Sequence, residues 1–91
     1  MEKNIILECV AKSCPEIHNA YDTDNNLVGQ IKFMFGQMEV HPTDENGNVL
    51  HEICLFSKIV NDDYLGVIPD KLRETWLNES IEKLIQYYEK N

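Results

Sequence analysis

Arginine is almost absent from this chain. Arg73 is the only one among eight basic residues, which face 16 acidic residues for a formal net charge of −8. A surface of this sign repels phosphate backbones and anionic lipid, so direct binding to nucleic acid or to a membrane surface is not expected. Glycine is also scarce: four residues, none clustered, leave no Gly-rich cradle for a phosphate. Apolar runs stop at three or four residues, far short of the roughly 20 that a membrane helix needs. The start, MEKNIILEC, lacks the basic and then apolar order of a secretory signal. Cysteine is limited to Cys9, Cys14 and Cys54, an odd count that reads as reduced thiols in a cytoplasmic protein.

What is present suffices for a core. The 91 residues are 43% hydrophobic, with no repeat, low-complexity tract or linker, which predicts one domain spanning 1–91. Asn4–Lys12 alternates, with Ile5, Leu7, Cys9 and Ala11 pointing to a buried face, and Pro15 ends that strand. Glu16–Tyr21 is a second strand candidate, and Asp22–Asn26 has the composition of a turn. Leu27–His41 reads as one long strand, with Ile31, Phe33 and Phe35 inward, whose phase flips at Gly36 as at a β-bulge. Asn46-Gly47 within 43–48 is a strong hairpin signal. The returning stretch Val49–Ile59, apolar on both sides, suggests a central strand, and 61–63 another turn.

Residues 70–90 have helical periodicity, opened by Pro69 and Asp70. Leu77, Ile81, Leu84, Ile85 and Tyr88 form one apolar stripe, and Leu72, Trp76 and Tyr87 a second line. Either the helix breaks near Asn78 or it touches two surfaces. The expected fold is α+β: an antiparallel sheet of three to five strands over about 4–59, with a long C-terminal helix on one face.

Candidate chemistry is thin. Asp22-x-Asp24-x-Asn26 and Asp44-x-Asn46-x-Asn48 resemble the opening of a calcium loop. The glycine and the bidentate glutamate of such a loop would fall on Leu27 and Phe33, or on Val49 and Leu55, so both read as turns instead. Cys9, Cys14 and His18, with Cys54, His41 or His51, could offer zinc donors, yet the spacing lacks a Cys-x2-Cys pair and Cys9 falls on the buried face. No electropositive neighbourhood activates Cys14 beside His18, and no set of residues fills the roles of a catalytic site. Neither an enzyme nor a resident metal or cofactor is expected.

The charge has a location. Ser13 to Ser57 holds seven acids (Glu16, Asp22, Asp24, Glu39, Asp44, Glu45, Glu52) against Lys32 alone, and so carries six of the eight net negative charges. The helical part is nearly balanced, with acids and bases mixed along it. A one-signed cluster on turns speeds capture of a basic partner. The candidate partner-binding residues are Asp22, Asp24, Asp44, Glu45, Asp62 and Asp63, with Tyr64 as an exposed aromatic; Trp76, Tyr87 and Tyr88 read as core.

In size and charge alone, the chain resembles small acidic inhibitors such as immunity proteins that mask toxins and phage proteins that imitate nucleic acid. The resemblance implies a protein that covers a basic surface on a nuclease or other nucleic-acid-binding protein. Two alternatives stand beside it. One is a structural module forming a homo-oligomer through the two-sided helix. The other is a domain that captures a metal or small ligand through His18, His41 and His51.

Overall fold

The computed structural model describes residues 4–13, 15–60 and 66–90. Five strands, β1 (Ile6–Lys12), β2 (Glu16–Tyr21), β3 (Leu27–Met34), β4 (Gln37–Pro42) and β5 (Phe56–Ile59), precede one helix, α1 (Asp70–Lys90). Each strand pairs antiparallel with the next, giving the order β1-β2-β3-β4-β5. The helix packs over β3, β4 and β5, which makes the α+β fold a two-layer one.

Alternation decides which side chains meet the helix. Ala20, Ile31, Phe33, Met38 and Val40 are fully buried and close with Ile68, Trp76 and Leu84 into a single core. The Phe33 and Trp76 rings sit 6.4 Å apart in a tilted pair.

Helix α1 is continuous through Asn78. Its buried seam is the row of every fourth residue, Leu72, Trp76, Ser80, Leu84 and Tyr88, which takes members from both of the lines that periodicity separates. Ser80 disguises that row in the sequence. Its hydroxyl donates to Trp76 O at 2.7 Å, so a polar side chain with no exposed area is satisfied at the centre of the seam.

Three expectations are corrected. Leu27–His41 is not one bent strand but a hairpin, with Phe33 opposite Met38 and Met34 opposite Gln37 around the turn Phe35-Gly36. Both turn residues have positive φ, 54° and 78°, which defines a type I′ turn. Phe35 is therefore not inward but 68% exposed. The sequence hides the turn because phenylalanine rarely takes the left-handed conformation. The irregularities in the ladder fall elsewhere, between Cys9 and Ala11 and between Ala20 and Tyr21.

Second, Val49–Ile59 is not a central strand. The Asn46-Gly47 turn forms, but the returning chain pairs at once only through Thr43 and Val49. It then turns, with Ile53 N donating to Leu50 O at 3.0 Å, and rejoins β4 at Val40 opposite Phe56. Between those two pairings β4 advances three residues and its partner seven, so the surplus is looped out and only the edge strand β5 remains regular. Third, Cys9 is exposed: it faces the helix side of the sheet, but on the edge strand β1, beyond the strands that α1 covers.

Candidate functional site

Two loops of one design project from the same end of the sheet. In 22–26, Asp22 Oδ1 accepts from the backbone N–H groups of Asp24 and Asn26, both at 2.9 Å, and Oδ2 accepts from Asn26 Nδ2 at 3.2 Å. In 44–48, Asp44 Oδ1 accepts from Asn46 and Asn48 at 2.8 and 2.9 Å, and Oδ2 from Asn48 Nδ2 at 3.2 Å. Each loop is also closed by a backbone N–H from its aspartate to the carbonyl of its last asparagine, at 3.0 and 2.9 Å. The fourth residue of each takes positive φ, Asn25 at 67° and Gly47 at 82°. The shared pattern is Asp-x-x-(Asn/Gly)-Asn, which explains the resemblance to calcium loops: the carboxylates hold their own backbones.

These bonds sort the acids by role. The N–H of Asn26 above all, opposed by a little desolvation and helped by the Asn26 side chain and Asp24, holds the Asp22 carboxyl below its usual value. Asn48 does the same for Asp44. Asp22 and Asp44 are thus the loop-shaping acids, whereas Asp24 and Glu45 are exposed acids that make none of the loop-closing side-chain bonds.

The loops border two hollows. A cavity of about 1000 Å³ is lined by Asn25 and Asn26 on one side, by Thr43 to Gly47 on the other, and by Leu27, Val28 and Tyr88. A second, of about 340 Å³, lies beside Ile6, Glu8, Tyr21, Asp22, Thr23 and Asn25. Glu8, Asp22, Asp44 and Glu45 line these hollows, and among the described residues no lysine or arginine does. The structure therefore brings Asp22, Asp24, Asp44 and Glu45 to one end, while Asp62, Asp63 and Tyr64 lie outside the described residues.

Glu8 and Tyr88 join this site without a sequence signal of their own. Glu8 arrives because β1 pairs it with Asn19 near the loop end. Tyr88 arrives from the last turns of the helix. Its hydroxyl donates to Val28 O at 2.5 Å and accepts from Thr43 N at 3.1 Å, fixing β3 and β4 beneath the first hollow.

A second polar cluster, on the helix side of the sheet, is structural. Glu16, 1% exposed, accepts from Ile68 N at 2.9 Å, from His18 Nε2 at 2.6 Å and from the Arg73 guanidinium. Arg73 also donates to Ile68 O at 2.9 Å. Burial alone would push the Glu16 carboxyl up; the bonds from His18, Ile68 and Arg73, with the arginine's charge, hold it below its usual value instead. The cluster thereby pins the lead-in to α1 onto β2.

Of the proposed zinc donors, His18 is committed to Glu16. Cys9, opposite it across the strands, turns its thiol to Ala11 O at 3.4 Å, and Cys14 lies outside the described residues. Among the described residues no three His, Cys, Asp or Glu side chains surround a common metal-sized point as they stand. None of the described helices is long and apolar enough to cross a membrane. No family model matches the sequence, and neither the search of curated proteins nor that of solved structures finds a match.

Proposed function

We propose that this protein is an acidic inhibitor that covers a basic surface of a nuclease or other nucleic-acid-binding protein, as toxin-immunity and phage counter-defence proteins do. One observation carries the reading: two hollows at one end of the sheet are lined, among the described residues, by four carboxylates and no base, on loops already fixed in shape. A fixed loop loses little conformational freedom when it docks, and a one-signed end attracts a basic partner over a Debye length of about 8 Å in physiological salt. Asp24 and Glu45 are the contact acids in this reading; Asp22 and Asp44 hold them in place.

Affinity capture from the source cell at low and high salt, followed by kinetics with the recovered partner, tests it. The double variant Asp24→Lys/Glu45→Lys leaves the loop-closing side chains in place, and should slow association roughly tenfold or more at low salt and erase most of its salt dependence. Association that is indifferent both to salt and to this reversal would remove the proposal.

A second reading, self-association, is favoured by the opposite end of the sheet, where Phe35 and Ile59 are 68% and 74% exposed. Sedimentation at micromolar concentration decides it: a pure monomer refutes it.

A further inference from the structure

The solvent face of the sheet holds a buried histidine with two further potential ligands beside it. His41, on β4, is 4% exposed because the looped-out segment 49–55 lies beside it. Its Nδ1 stands 2.7 Å from Ile53 O. A carbonyl only accepts, so Nδ1 carries the proton, and in the neutral ring Nε2 presents a bare lone pair. That lone pair faces Glu39 Oε1 at 3.7 Å. Among the described residues no other group lies within hydrogen-bond distance of Nε2, so in the neutral ring its lone pair is open to a ligand beside the carboxylate.

His51 adds a third donor. Its ring lies 5.5 Å from that of His41, centroid to centroid and edge-on. Two imidazoles sharing one tetrahedral ion stand about 5 Å apart, and a nitrogen and an oxygen on such an ion about 3.4 Å apart, given metal–ligand bonds near 2.0–2.2 Å. Both observed spacings, 5.5 and 3.7 Å, are within about half an ångström of these. His41 is also fixed as metal-binding histidines usually are, its second nitrogen donating to a carbonyl that sets the tautomer and the ring plane. The three groups do not yet converge. His51 is exposed and the Glu39 side chain is 41% exposed, so both have room to turn toward the fixed His41. Lys32, across the strands from Glu39, makes no ion pair with it within 4 Å.

We infer that His41, His51 and Glu39 form a site for one divalent transition-metal ion of the Zn²⁺ class, for which two imidazoles and a carboxylate are suitable ligands. Binding would clamp segment 49–55 to β4 at His51 as well as at Ile53. The site is separate from the acidic loops.

Titration with Zn²⁺, and with Co²⁺ as its spectroscopic substitute, tests this in the full chain. The expected result is one ion per chain, affinity weakened at least about tenfold by His51→Ala and by Glu39→Gln, and a Co²⁺ spectrum without a thiolate charge-transfer band. Both substitutions are at accessible side chains, and circular dichroism verifies that each variant is folded. Unaltered affinity in both variants overturns the inference, as does a thiolate band, which would assign the metal to the cysteines. Absence of stoichiometric binding below roughly 100 μM, a binding free energy of about −5.5 kcal/mol, overturns it as well.

Discussion

Replacing Glu16 with glutamine keeps the side chain's shape and removes its charge. One carboxylate oxygen receives Ile68 N and the other receives His18 and Arg73, so the wild-type group meets donors on both sides. An amide has one oxygen and one NH2; whichever way it turns, its NH2 faces a donor. Removing one partner of a buried ion pair costs about 3–5 kcal/mol. The Arg73 side chain is 35% exposed and recovers some solvation, which lowers the expected loss to about 2–3 kcal/mol. In urea, with a slope near 1 kcal/mol per molar, the midpoint should fall by about 2–3 M.

The pH dependence follows from the same geometry. Glu16 titrates below 4.5 in the folded chain and near 4.5 unfolded. Its contribution is therefore complete above pH 4.5 and disappears as pH falls through the lower folded value. The gap between wild type and Glu16→Gln should be widest near neutrality and should close in acid. A companion cycle with Arg73→Met should show a coupling of at least about 1 kcal/mol. A loss below about 0.5 kcal/mol, or a gap that does not vary with pH, would refute the assignment of Glu16 as the anchor of the helix lead-in.

Further outcomes can be checked by thermal or chemical unfolding. Phe35→Asn relieves a left-handed phenylalanine in a type I′ turn and should stabilise by about 0.5–1 kcal/mol, raising Tm by a few degrees; a lower Tm would mean that Phe35 makes a contact important to the fold. Gly29→Ala would place a methyl 2.6 Å from Leu84 Cδ2 and 3.0 Å from His41 O, so a loss of about 1–3 kcal/mol is expected, partly restored by Leu84→Val. Tyr88→Phe leaves Val28 O and Thr43 N without their shared partner and should cost about 1–2 kcal/mol, with faster amide exchange at Thr43.

Much of this fold is legible in the sequence, for physical reasons. Strand β2 and the helix appear at the expected positions, the helix because 70–90 repeats at helical spacing, while β2 puts the polar Glu16 and His18 on its buried side and so shows no apolar alternation. What stayed hidden depends on long-range partners. Ser80 looks like a gap in the apolar stripe until Trp76 O receives its hydroxyl, and Phe35 looks like a core residue until the turn puts it outside. The site is half legible in the same sense. The two turns announce themselves as Asp/Asn-rich, and their charge is countable. That Asp22 and Asp44 turn inward, leaving Asp24 and Glu45 exposed, depends on hydrogen bonds within each loop. The arrival of Glu8 and Tyr88 depends on strand register and on how the helix packs, which no local pattern encodes.

The repeated Asp-x-x-(Asn/Gly)-Asn loop separates shape from message. Its first, fourth and fifth residues fold the loop, and its second and third are free to vary in charge and size. The two loops are therefore interchangeable cassettes: Thr23-Asp24 and Glu45-Asn46 could be exchanged or rewritten while the scaffold beneath stays the same. On the proposed inhibitor reading, a changed partner surface could be followed by editing these four positions, at little risk to folding.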